Sequence, residues 1–146
     1  MPLSRRLTAA LLATVIGGLA TACGESKVSQ CNKLSAVVNK VAKEAQALSK
    51  ANKPDDQFAQ LSKAADSLDG YAAELQQVQL KDETLKGYQT RFVAIYTDTS
   101  KASRSLVDAF KKRDQKAGNA ALNSLQEVAS REDPLLKEVN TYCGAK

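Results

Sequence analysis

The sequence predicts an all-α fold, an antiparallel up-down-up-down four-helix bundle preceded by a removable leader. Three observations carry that prediction. Apolar residues recur at alternating three- and four-residue steps in four separate runs. The breaks between the runs are short. The composition is rich in alanine, leucine, lysine and glutamine and poor in aromatics, which suits helices packed through small and aliphatic side chains. A chain of 146 residues makes one domain rather than two.

The first run is Cys31, Leu34, Val38, Val41, Ala45 and Leu48. The second is Phe58, Leu61, Ala65, Leu68, Ala72 and Leu75. The third passes through Leu85, Tyr88, Phe92, Ile95, Thr99, Ala102, Leu106 and Ala109, with Phe110 beside it. The fourth is Ala121, Leu125, Val128, Glu132, Leu135, Val139 and Tyr142. A repeat of about 3.5 residues is the seam of helices that cross at shallow angles.

Residues 52–56 end the first run, with Pro54 suited to the first turn of the next helix. Residues 80–82 separate the second run from the third, and residues 113–118 the third from the fourth. Such short connections force antiparallel neighbours. Pro134 lies within the fourth run, but the register continues from Val128 to Leu135, so a kink is expected there. The alternative is a fresh short helix capped by Ser130 or Asp133. Gly70 sits inside the second run and is costly there unless another backbone packs closely against it.

The N-terminal residues read differently. Residues 1–6 hold Arg5 and Arg6 and no acid, residues 7–20 are almost unbroken apolar sequence, and Ala20-Thr21-Ala22-Cys23 follows. These are the charged region, apolar region and small-residue cleavage site of a secretory signal. The apolar run is shorter than the roughly 20 residues that span a bilayer. The site resembles the lipobox of a bacterial lipoprotein precursor, in which the cysteine after the small residues is acylated and becomes the new N-terminus. The resemblance covers residues 1–23 alone. It implies a signal peptide over 1–22, a lipid anchor (diacylglycerol and palmitate-type chains) at Cys23, a tether over 23–30 and a helical domain over 31–146. Leu19 stands one place further from the cysteine than the usual pattern has it, and Ala20-Thr21-Ala22 also satisfies the ordinary signal-peptidase rule, which would leave a soluble protein with a free Cys23.

The three cysteines support acylation. An odd number in an exported protein needs an explanation, and using Cys23 for lipid leaves Cys31 and Cys143 as a pair. An oxidising compartment lets that pair form a disulfide. The topology agrees, because an up-down-up-down path brings the end of the fourth helix back to the start of the first. The competing reading is two buried thiols.

Histidine is absent, which removes every Ser-His or Cys-His nucleophile pair and every histidine-held metal or haem. No enzyme activity, cofactor or metal is expected. The net charge is +5, and losing Arg5 and Arg6 with the leader leaves the mature chain near +3. That is too little to imply nucleic acid.

Three groups of residues are candidate sites. Lys50, Lys53, Lys111, Lys112, Arg113 and Lys116 fall at one end of the expected bundle, distal from the lipid. There they would suit an envelope protein or an acidic polymer. Helix-dipole complementarity explains them as well, with Asp55, Asp56 and Asp114 opening the following helices. The paired carboxylates Asp55-Asp56, Asp66 with Asp69, and Glu132-Asp133 lack metal-ligand spacing and read as solvated surface. Tyr71, Tyr88, Phe92, Tyr96 and Tyr142, with Thr99 as a polar group on the third seam, would either line a pocket between helices or fill a plain core. Glu132 falls on a seam position, where a buried carboxylate needs a partner.

Two functions are compatible with these features. One is a non-catalytic lipoprotein, exported and anchored on the periplasmic or cell-surface side of a bacterial membrane, acting as an interaction or accessory subunit. In general shape such a domain resembles the lipid-anchored helical bundles that serve as extrinsic subunits of photosynthetic membrane complexes in cyanobacteria, a likeness of architecture without a shared motif. The other is a helical bundle that binds a small molecule in an inter-helix pocket.

Overall fold

The computed structural model describes residues 25–49 and 54–144. The signal peptide, Cys23, Lys50 and Lys53 lie outside the described residues. Four helices follow one another: α1 (Lys27–Ser49), α2 (Pro54–Gln77), α3 (Glu83–Lys112) and α4 (Gln115–Cys143). They pack into an all-α four-helix bundle with no strand among the described residues. Its longest member, α3, spans about 45 Å at 1.5 Å per residue.

Local chemistry sets the helix ends. Ser26 Oγ accepts from the Ser29 backbone N–H at 3.1 Å, so the chain turns helical at Lys27, inside the stretch that the sequence reading gave to a tether. Pro54 stands at the first position of α2, where its missing N–H costs nothing. Asp82 caps α3 by accepting from the Leu85 N–H at 3.0 Å, and Asp114 caps α4 by accepting from Ala117 at 2.9 Å. The α3–α4 connection is therefore only Arg113 and Asp114, much tighter than the break expected over 113–118. Arg113 meets that geometry by adopting the left-handed conformation, φ 56°. Pro134 neither stops α4 nor starts a new helix: α4 runs unbroken through it. Gly70 is exposed and has no neighbour within 4 Å of where a Cβ would stand, so close backbone packing does not explain it.

The core follows the predicted seams for three helices. Ala65, Ala72 and Leu75 of α2, Leu85, Phe92, Ile95, Ala102 and Ala109 of α3, and Ala121, Val128, Leu135 and Val139 of α4 are all buried. The small alanines let α3 lie close along α2 on one side and α4 on the other, making it the central helix. Exposed ion pairs stitch the same contacts: Arg104 with Asp66 and Asp69, Arg91 with Glu138, and Arg131 with Asp98. Each contributes little alone.

Helix α1 is the exception. It buries Cys31, Leu34 and Val37. Val38 and Val41 are half-buried and Ala45 is exposed. The seam therefore includes Val37, which the sequence reading passed over, and it opens after about three turns. As a whole, α1 meets the other helices far more sparsely than α3 meets α2 and α4.

One end of the bundle is closed firmly. Cys31 and Cys143 stand at disulfide distance, their α-carbons 5.9 Å apart. Gln30 is buried, and its Oε1 accepts from the backbone N–H groups of Lys81 and Asp82 at 2.6 and 2.9 Å. Tyr142 of α4 donates its hydroxyl to Asp82 at 2.7 Å, and Lys27 of α1 lies 3.6 Å from the Tyr142 ring centroid. Gln89 caps the end of α2 by donating to the Leu75 and Val78 carbonyls. These contacts tie the 78–82 connection to α1 and α4, and they fix that end before any hydrophobic packing above it is considered.

Candidate ligand-binding cleft

Because α1 is held at one end and opens along the rest, a cleft of about 530 Å³ lies among the four helices. That volume is in the range of small-molecule sites. Helix α1 contributes Val38 and Val41, α2 contributes Leu61 and Leu68, α3 contributes Phe92, Tyr96 and Thr99, and α4 contributes Glu132, Leu136 and Val139. Among the described residues the rest of the wall is uncharged, so Glu132 is the one charged side chain among them lining the cleft.

The two polar groups that matter are placed by helix periodicity. Phe92 and Tyr96 lie four residues apart and so share a face of α3, their ring centroids 6.0 Å apart. That face looks where the opposite wall of a closed bundle would be. Tyr96 is 1% exposed, and its hydroxyl has no hydrogen-bond partner among the described residues. Burial pushes its phenol pKa well up, and the nearby Glu132 charge pushes the same way. Glu132 holds the seam position four residues after Val128. It is half-buried and forms no ion pair or hydrogen bond among the described residues. Burial raises its pKa, and the neighbouring Asp133 charge adds to the rise. Thr99 donates its hydroxyl to the Ile95 carbonyl of its own helix at 2.8 Å, so it is already satisfied.

The remaining expected site residues sort around this cleft. Of the five aromatics read as either pocket lining or plain core, Phe92 and Tyr96 stand on the cleft wall. Tyr88 and Tyr142 pack edge to face, 5.8 Å apart, at the closed end, because their register positions fall beside the 78–82 connection. Tyr71 is half-buried, and its hydroxyl bonds to Glu44, which raises the phenol pKa. Asp66 and Asp69 are the ion-pair partners of Arg104, and the Ser100 hydroxyl and Arg104 hold the Asp69 carboxyl below the usual carboxylate range. Among the described residues no group of three metal-ligating side chains converges.

Lys111, Lys112, Arg113 and Lys116 are all exposed around the α3–α4 turn. The sequence reading missed what lies beside them. Phe110 is 59% exposed and stacks on Phe58 of α2 with centroids 3.6 Å apart, and Leu122 nearby is 48% exposed. No helix among the described residues is long and apolar enough to cross a membrane. No protein-family model, curated protein or solved structure matches the chain.

Proposed function

We propose that this chain is a non-catalytic lipoprotein of the bacterial cell envelope, held to a membrane through acylated Cys23, and that its work is to bind a small, mainly apolar molecule in the inter-helix cleft. One observation carries the reading: a cleft of about 530 Å³ among the four helices is walled by aliphatic and aromatic side chains, and the buried Tyr96 hydroxyl on that wall has no hydrogen-bond partner among the described residues. Leaving such a group unpaired costs about 1–3 kcal/mol. A plain core helix would carry phenylalanine there. The signal-like leader and the cysteine after Ala22 support export and anchoring. The absence of histidine, and the lack of a nucleophile beside a base in the cleft, support binding over catalysis.

A second reading, the accessory subunit, is favoured by the exposed Phe58–Phe110 stack and Leu122 beside the basic α3–α4 turn. An apolar centre with a charged rim is the usual anatomy of a protein contact. Native mass spectrometry of the lipoprotein extracted from its own membrane in polymer-bounded nanodiscs separates the two. The expected result is a bound small molecule and an N-terminal Cys23 carrying lipid mass. A stoichiometric protein partner with no small molecule would replace the first reading by the second. An intact mature chain without lipid would remove the anchor.

A further inference from the structure

Resting on the cleft reading above, we infer that the natural ligand is an amphipathic amine, an apolar body ending in a protonated amino group that pairs with Glu132. The chemistry of the wall points there. Among the described residues Glu132 is the single charged residue lining the cleft, and neither a basic side chain nor a hydrogen-bond donor compensates it. A half-buried carboxylate facing aliphatic walls gains most from a ligand that brings its own positive charge. An anionic ligand would meet repulsion from Glu132 and no cation to offset it. A neutral one would leave the carboxylate as poorly solvated as before.

The surroundings keep that selectivity simple. Among the described residues, the charge of Asp133 acts on Glu132, and Glu132 acts on Tyr96 of α3; Arg131, its other chain neighbour, pairs with Asp98. Helix α1 presents Ser35 and Asn39 as its polar residues on the cleft, and α2 presents Leu61, Ala64 and Leu68, so neither adds a charge. Asp133 is exposed and reinforces the negative potential. The Tyr96 hydroxyl on α3 is shut off from solvent, so Glu132 alone meets the bound head. The apolar body would lie along the half-buried Val38, Leu68 and Leu136.

The test uses the mature lipidated protein in phosphatidylcholine nanodiscs, with empty nanodiscs subtracted. Three probes share one body and differ in the head: 4-phenylbutylamine, 4-phenylbutan-1-ol and 4-phenylbutanoate. The amine should bind about tenfold more tightly than the alcohol, in line with a charge-assisted contact, and the carboxylate more weakly than either. Glu132→Gln should abolish the preference for the amine, so that amine and alcohol bind alike. This variant removes no native hydrogen bond or ion pair among the described residues, and circular dichroism checks its fold. Amine affinity in the wild type should fall as the pH drops through the raised pKa of Glu132, and the variant should lose that dependence. Equal binding of amine and alcohol, or a preference that survives Glu132→Gln, overturns the charge inference and leaves the cleft standing as a site. Binding of none of the three probes overturns the cleft reading and the inference together.

Discussion

Reducing the Cys31–Cys143 link should release α1 before it unfolds the rest. The two cysteines are separated by 112 residues. On the chain-entropy account, closing a loop of that length is worth ~4.8 kcal/mol at 25 °C. Against this, α1 has few other attachments. Leu34 and Val37 are its fully buried aliphatic residues besides Cys31, each contributing about 1.5–3 kcal/mol by burial. Gln30 adds two hydrogen bonds to the 78–82 connection. Among the described residues the one ion pair from α1 to another helix, Lys40 with Glu74, is exposed. The link is therefore comparable in size to the burial of Leu34 and Val37 and the Gln30 hydrogen bonds together.

The assay is hydrogen exchange and thermal melting of the mature protein with and without reductant, which leaves every atom but the bond in place. Stability should fall by about 2–5 kcal/mol, or roughly 10–20 °C in Tm for a domain of this size. Amides of α1 should lose protection while those of α3, packed on both sides, keep theirs. Free alkylation of both thiols in the unreduced native protein would remove the premise. A melting point indifferent to reductant, or a loss of protection spread evenly over the four helices, would refute the account of α1 as a helix fastened mainly at one end.

Further outcomes follow from particular residues. Tyr96→Phe removes a buried hydroxyl without a partner and should raise the stability of the ligand-free protein by about 1 kcal/mol in urea unfolding; a loss of that size would mean the hydroxyl is satisfied. Gly70→Ala adds a Cβ to open space in the interior of α2 and should stabilise by about 0.5–1 kcal/mol, read from the same midpoint. The two carboxyls Asp82 and Glu132 should act in opposite directions in stability-against-pH profiles. The Leu85 N–H and the Tyr142 hydroxyl depress the folded pKa of Asp82, so its contribution is present above the ordinary aspartate value and is lost as pH falls through the folded one; Asp82→Ala should flatten that acid limb. Burial raises the folded pKa of Glu132, so its favourable contribution is present below the ordinary glutamate value and is lost as pH rises through the folded one. Glu132→Gln should therefore raise Tm at neutral pH, with the gain disappearing in acid.

The helices were legible in the sequence because their signals are local. Alternating three- and four-residue steps place Leu75, Phe92 and Leu135 on core faces wherever the helix pairs, and all three are fully buried. Asp114 could be read as the start of α4, and it is the cap, although the turn before it proved shorter than expected. The closed end was not legible. Gln30 and Gln89 look like ordinary surface glutamines, and only the folded path brings one against the N–H groups at 81 and 82 and the other against the carbonyls at 75 and 78. The pairing of Cys31 with Cys143 was legible for the opposite reason. It follows from counting cysteines and helices, and both counts are global properties of the chain.

The cleft was half legible, and the missing half has a physical source. Phe92, Tyr96, Thr99 and Glu132 could be placed on seams by spacing, but a seam position says only that a residue faces a neighbour. It does not say how far away the neighbour lies. That distance is set by α1, whose described side chains are buried or half-buried along its apolar repeat as far as Val41. Beyond Val41 the repeat residue described is Ala45, a side chain too small to reach the aromatic wall on α3, and it is exposed. Where α2 and α4 use alanine against α3, the helices draw together and the alanine is buried. Where α1 uses it, the disulfide and the Gln30 contacts already fix the helix at its far end, and α1 is not drawn in. The same residue type thus closes one contact and leaves another open. The opening leaves Glu132 half-buried at a cleft whose wall includes the buried Phe92–Tyr96 face, a cavity that four unremarkable repeats would not otherwise make.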